Sequence, residues 1–167
     1  MLLACVVVFA LPYAENASKS SVAGSAEWMI GLPDSLYLSE INLPGTHDSA
    51  TRFVGLPLFS RCQSSSVANQ LEDGFRYLDI RLALDEGKDG DAKLKFIHAF
   101  ANCRSSLWWF SKPIYLEDAL DAVYSFLDAH PTETVIFCVK AENGDDDVSS
   151  FEALFFDTID KNADKWY

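Results

Sequence analysis

Three short apolar runs in this chain each stop on side chains that can carry charge or move a proton. Leu38-Ser39-Glu40-Ile41-Asn42-Leu43 enters the turn Pro44-Gly45-Thr46 and then presents His47 and Asp48. Phe75-Arg76-Tyr77-Leu78-Asp79-Ile80-Arg81 carries an acid and an arginine, and Leu94-Lys95-Phe96-Ile97 ends in His98. Runs of this length and composition predict strands, the first of them reaching about Leu43. In parallel α/β sheets and barrels chemistry collects where strands end. One shared site drawing on His47, Asp48, Asp79, Arg81 and His98 is therefore the economical reading.

The segments between these runs alternate in period. Ser66 can cap a helix whose apolar positions Val67, Leu71 and Phe75 recur at helical spacing before the Asp73-Gly74 break. The strand predicted over 77–84 is followed by an acidic, glycine-containing turn over 85–91. That connection is too short for a full helix, so the strand over 94–98 returns as a hairpin partner or through an abbreviated crossover. An amphipathic helix over Leu116–Ala129 stops at His130-Pro131, because the residue before a proline is biased out of the helical region. His130 at that end is expected to meet the helix dipole. The nearly continuous apolar run over 134–140 predicts a strand covered on both faces, and a last helix is expected over 149–162. Four strands with helices between them resemble the front of an eight-stranded barrel, which typically needs about 250 residues; this chain has 167.

A hydrophobic content of 49% is enough to bury a real core, and the net charge is −12. That charge argues against nucleic acid, whose phosphates demand clustered Lys and Arg, and against recruitment to anionic membrane surfaces by charge. Any lipid contact would have to be hydrophobic or brief. Residues 2–11 form an apolar stretch followed by small polar residues, the pattern of a secretory signal with a core too short to span a bilayer, though a basic start is missing. The expected organisation is a signal peptide over 1–14, a polar linker over 15–27 and one domain over 28–167, exported from the cell. Cys62 and Cys103 lie in turn-rich loops and could pair in an oxidising compartment, whereas Cys138 reads as a buried small hydrophobe. No cysteine spacing suits a metal. Trp108-Trp109-Phe110 could meet a lipid interface or cover a barrel wall, and the second is favoured. The Asp145-Asp146-Asp147 run reads as a helix start rather than a calcium loop.

Taken in order, Trp28-Met29, Leu43-Pro44-Gly45-Thr46-His47-Asp48-Ser49, Gln70-Leu71, Gly74-Phe75-Arg76-Tyr77-Leu78-Asp79-Ile80-Arg81, Ile97-His98 and Pro131-Thr132-Glu133-Thr134-Val135-Ile136 resemble the phosphatidylinositol-specific phospholipase C family, catalytic X region, of the bacterial and fungal metal-independent type. The resemblance implies a distorted barrel of the triosephosphate isomerase type, truncated here after about four strands. It implies attack of the inositol 2-hydroxyl on the phosphodiester, with His47 as general base and His98 as general acid. Asp48 would orient His98, Arg81 would contact a non-bridging phosphate oxygen, Asp79 would neighbour Arg81, and Lys140 would bond the inositol ring. No metal and no cofactor are expected. The expected partner is a phospholipid substrate at a membrane surface, with no nucleic acid and no stable membrane span; the sequence does not speak to oligomeric state. Two departures stand out: Ala99 follows His98 where the family usually has glycine, and the carboxylate that pairs with the base histidine comes from later strands. Two alternatives stay open. One is a truncated, non-catalytic half-barrel acting as a lipid-binding or interaction module; the other is a different phosphodiesterase of related fold, with a metal-binding acidic cluster near the first histidine.

Overall fold

The structure is a computed structural model that describes residues 3–9, 25–55, 57–87, 90–142 and 147–166. The expected signal cleavage region, most of the linker, Asp145 and Asp146 lie outside the described residues. The strands are β1 (Leu3–Phe9), β2 (Gly45–Thr46), β3 (Tyr77–Asp85), β4 (Lys93–His98), β5 (Ala101–Asn102) and β6 (Thr134–Ala141). The helices are α1 (Pro57–Ser60), α2 (Val67–Glu72), α3 (Leu116–Ala129) and α4 (Val148–Ile159), the last continued by a 3-10 turn over Asp160–Lys165.

The strands form one mixed sheet in the order β1-β6-β3-β4-β5, with β2 also on β3. β3 runs parallel to β6, with Asp79 opposite Cys138 and Arg81 opposite Lys140. Its other edge is shared. β2 pairs parallel with Tyr77 and Leu78, while β4 pairs antiparallel from Leu82 to Asp85, which makes the connection a hairpin and not the abbreviated crossover that the sequence also allowed. β1, from the stretch read as a leader, lies antiparallel along the outer edge of β6 in the full chain.

Alternation along β3 separates core from site. Leu78, Ile80 and Leu82 are fully buried, with Leu116, Leu120, Val123, Phe137, Phe151 and Phe155 in the same core cluster. Each such side chain contributes roughly 1.5–3 kcal/mol of transfer free energy. Asp79 and Arg81, one residue out of phase, take the opposite face of the pleat. In β6 Val135 to Val139 are all buried, as expected for a strand covered on both faces.

One expected strand changes form. Leu38–Glu40 is a 3-10 turn, with the Glu40 carboxylate accepting the Tyr37 N–H at 2.9 Å, and only Gly45–Thr46 pairs as strand. Pro44 has no N–H to give a ladder; its carbonyl instead accepts the N–H groups of Arg76 and Tyr77 at 2.9 and 3.2 Å. Gly45 fits because a Cβ there would meet the Tyr77 Cβ at 3.0 Å.

The corner between α2 and β3 is held by a buried charge. Arg76 donates to Glu133 Oε2 from Nε at 3.0 Å and from Nη2 at 2.8 Å, and both side chains are fully buried. Further Arg76 bonds reach the carbonyls of Leu71 and Ala26, and Glu133 Oε1 accepts the Met29 N–H at 3.0 Å. Ser25–Glu27, at the end of the expected linker, is thus docked as a 3-10 turn, with Ser25 Oγ donating to Glu72 O at 2.8 Å. Ser66 caps α2 as expected, its Oγ accepting the Asn69 N–H, and Asp147 caps α4 through the Ser150 N–H. His130, at the end of α3, faces the carboxylates of Glu27 and Glu72 at 3.3 and 3.7 Å.

Candidate active site

β2 and β4 approach along one edge of β3 from opposite ends and leave Asp79 to Arg81 between them. Carrying each register onward sets His47 level with Asp79 and His98 level with Ile80. The Ser49 N–H donates to Asp79 O at 3.0 Å and confirms the first alignment. The site therefore forms where two strands meet end to end, and one of them, β4, is antiparallel. That differs from a row of parallel strand ends, and it explains how histidines 51 positions apart in sequence converge.

Asp48 is the centre. Its side chain is 1% exposed, and Oδ2 lies 2.7 Å from His98 Nδ1 and 3.0 Å from His47 Nε2. Oδ1 lies 3.1 Å from Arg81 Nε. The residue is held in the left-handed region, φ +48°, by its own backbone contacts. Its N–H donates to Asp79 Oδ2 at 3.1 Å, and its carbonyl accepts the Thr51 N–H and hydroxyl at 3.0 and 2.7 Å. Aspartate tolerates this conformation better than most residues.

His47 is 61% exposed, and its second nitrogen, Nδ1, lies 3.0 Å from Asp79 Oδ2. The expectation was that its carboxylate partner comes from later strands; here Asp48 and Asp79 already flank the ring. A neutral imidazole has one N–H, so it can donate to only one of them. The tautomer that donates from Nε2 to Asp48 leaves Nδ1 to accept from Arg81 Nη2, 3.4 Å away.

Arg81 spans the floor of the site. Nη2 lies 3.1 Å from Asp79 Oδ2 and Nη1 3.4 Å from Glu142 Oε1. Burial would lower its pKa, but the Asp79 hydrogen bond and the charges of Asp48, Asp79 and Glu142 raise it instead. Lys140 stands beside Arg81 in the β3–β6 register and donates to Glu142 Oε2 at 2.5 Å. Burial pushes the Glu142 carboxyl up, and the Lys140 hydrogen bond with the Arg81 and Lys140 charges outweighs it, so the group sits below the usual glutamate range.

Three participants were not read from the sequence as site residues. Glu142 ties Arg81 to Lys140; its position two residues after Lys140, on the same side of the strand, was the available signal. Gln70, buried on α2, accepts from Thr46 Oγ1 at 2.7 Å and donates to Ser49 O at 2.8 Å, so α2 holds both flanks of His47-Asp48. Cys62 brings its Sγ within 3.8 Å of Asp48 Oδ2 and 4.0 Å of His98 Nδ1. Although the residue is exposed, partial desolvation of the sulfur and the Asp48 charge raise its pKa. Cys62 and Cys103 are free thiols in this structure rather than a bridge: the Cys62 thiol turns toward Asp48, while Cys103 is buried at the Val54 register. Burial, with the nearby charges of Asp48 and Cys62, pushes Cys103 up to about 12.

The ligand atoms of His47, Asp48 and Cys62 lie within 4.8 Å of one another and could hold a cation. A thiol and an imidazole suit a softer ion than calcium, which takes oxygen ligands. Among the described residues no helix is long and apolar enough to cross a membrane.

The PI-PLC X family profile matches residues 34–162. Over 156 residues the chain is 28% identical to the 1-phosphatidylinositol phosphodiesterase of Staphylococcus aureus, covering 90% of this chain and 43% of that protein. It is 32% identical over 155 residues to the Listeria monocytogenes protein of the same name, covering 89% and 42%. The solved phosphatidylinositol-specific phospholipase C from Listeria monocytogenes aligns with a TM-score of 0.65 at 27% identity, over 85% of this chain and 47% of that one. The chain thus spans less than half the length of the relatives it matches. With its mixed α/β, partial barrel-like sheet and a family match over most of its length, the chain belongs to the PI-PLC X domain family.

Proposed function

We propose that this chain carries the acid–base half of a site that cleaves phosphatidylinositol-type phospholipids as a phosphoric diester hydrolase or lyase. His47 takes the proton from the inositol 2-hydroxyl as that oxygen attacks phosphorus. The bond from phosphorus to the diacylglycerol oxygen breaks, and His98 gives its proton to the leaving oxygen. The products are a cyclic inositol phosphate and diacylglycerol, and the proton gained by His47 equals the one lost by His98. Each proton transfer is typically worth about 10²–10⁴-fold. Arg81 offsets charge on the phosphoryl oxygens, Asp48 positions His98, and Asp79 and Lys140 face the ring. The observation that carries this reading is the single buried carboxylate oxygen of Asp48, 2.7 Å from one histidine and 3.0 Å from the other.

The surface supports a substrate held in a bilayer. Leu58, Phe59, Phe100, Trp108, Trp109 and Phe110 are all exposed, Trp109 at 90%. Bonds from Gly55 N to Asn102 O and from Arg104 N to Phe53 O tie together the two segments that carry these tips. The aromatic loop was favoured as a cover for the barrel wall, and its exposure supports the lipid-interface reading instead. Export through a leader over 1–14 is part of the same proposal; on cleavage, β1 would leave the edge of β6.

The test is release of water-soluble headgroup from labelled phosphatidylinositol in chelator, by this chain and by any longer product of its reading frame. Activity lost in His47→Ala is expected. Full activity in that variant would overturn the mechanism. Activity that vanishes with chelator would favour a metal-dependent phosphodiesterase, and silence of the shorter chain alone would place essential contacts in the remainder of the barrel.

A further inference from the structure

A cavity of about 500 Å³ opens between the segment after Asp48, α2, α3 and the loop from Arg104 to Tyr115, and none of His47, Asp48, Arg81 and His98 lines it. Its walls are largely apolar, with Phe53, Val67, Phe96, Ile114 and Ala119 among them. Three cations also line it: Arg52, Arg104 and Lys112. In a chain of net charge −12 that grouping is unusual. Arg76, Arg81, Lys93, Lys95, Lys140 and Lys165 each pair with a carboxylate. Among the described residues Arg52, Arg61, Arg104, Lys112 and Lys161 show no carboxylate partner, and three of these five line the cavity. The Arg52 guanidinium lies over the Phe53 ring at 4.7 Å, and Arg104 Nη1 donates to Ser111 O at 3.1 Å. The acid in the lining, Asp118, is engaged at Oδ2 by the Tyr115 N–H at 2.8 Å.

Apolar walls with a few convergent polar groups are the usual make-up of a small-ligand site, and this volume falls in the range of such sites. Desolvating hydrocarbon in the cavity is favourable, and an anionic head would meet cations that otherwise lack an acid. We propose that the cavity binds one long-chain carboxylate, a free fatty acid, with its chain against Phe96, Ile114 and Ala119 and its head among Arg52, Arg104 and Lys112. A two-chain lipid is too bulky for the space, and a cationic or neutral amphiphile leaves the three cations unmatched. The site shares a loop with the catalytic candidates but none of their side chains, so it stands apart from the phosphodiesterase reading.

The test is calorimetric titration of the full chain with octanoate, decanoate and dodecanoate below their micellar concentrations, alongside dodecyltrimethylammonium. One saturable site is expected for dodecanoate, each added methylene tightening binding about fourfold until the cavity is full. The double variant Arg104→Gln, Lys112→Gln should weaken dodecanoate at least about tenfold. Ala122→Trp, which fills the cavity from α3, should abolish binding and serves as the second variant if the first fails to fold. Absence of saturable binding, equal affinity for the cationic amphiphile, or dodecanoate affinity unmoved by the folded variants would overturn the proposal.

Discussion

Asp48 and Ala99 occupy the same uncommon conformation on either side of the site, with φ of +48° and +50°. Aspartate accepts it with little penalty, but an alanine there costs roughly 1–2 kcal/mol, partly offset by the unfolded-state freedom that glycine would add. This gives a physical meaning to the residue after His98, where the family resemblance leads one to expect glycine. Ala99→Gly is expected to stabilise the fold by about 0.5–1 kcal/mol, read as a higher melting temperature; an unchanged or lower one would refute the strain. Cys62 offers a second residue-scale prediction. Because partial desolvation of the sulfur and the Asp48 charge disfavour its thiolate, alkylation of this exposed cysteine by iodoacetamide should be slower than for free cysteine at neutral pH, and faster in Asp48→Asn. A modified Cys62 should silence headgroup release, since its sulfur sits 4.0 Å from His98 Nδ1.

At the level of elements, the sheet is keyed by charge at two places. Arg76 and Glu133 join the start of β3 to the start of β6, and removing one partner leaves the other buried and uncompensated. Glu133→Ala is expected to cost about 3–5 kcal/mol, a fall in melting temperature of roughly 10 °C; a loss under 1 kcal/mol would contradict the role assigned to the pair. Farther along the same two strands, Glu142 joins Arg81 to Lys140. Its folded pKa lies below its unfolded one, so its stabilisation is complete above the ordinary glutamate range near about 4.3 and fades as pH falls through the lower folded value. Glu142→Gln should therefore flatten the acid limb of the stability curve while leaving its alkaline side unchanged. The short hairpin between β3 and β4 is equally consequential, since turning β4 antiparallel is what aims His98 back at Asp48.

Across the whole molecule, exposed apolar tips sit on a strongly acidic chain. Binding to zwitterionic phosphatidylcholine vesicles should therefore exceed binding to anionic ones and change little with salt. Trp109→Ser with Phe59→Ser should weaken it about tenfold, whereas salt-sensitive binding to anionic vesicles would point to a different surface. Much of this architecture was legible in the residues. The helix over Leu116–Ala129, the buried strand before Ala141 and the Ser66 cap all follow from local period and capping chemistry, which depend on near neighbours alone, and loop length narrowed the β3–β4 connection to a hairpin or a short crossover. That His47, Asp48, Asp79, Arg81 and His98 share one site was legible too, though Asp79 and Arg81 reach it from one face inside β3 and not from a strand end. Other features were not. Leu38–Glu40 looked like strand and became a turn, since Pro44 gives its carbonyl to Arg76 and Tyr77 and leaves no ladder upstream. The placement of Cys62 beside Asp48, the stapling of the His47-Asp48 loop by Gln70, and the buried Arg76–Glu133 pair link residues 14, 21 and 57 positions apart. Such contacts exist only once strand register and helix docking bring distant segments together. Local pattern thus specified which elements form and what chemistry they carry, while long-range packing chose the partners, because a side chain's neighbours across a sheet are set by register and not by its neighbours along the chain.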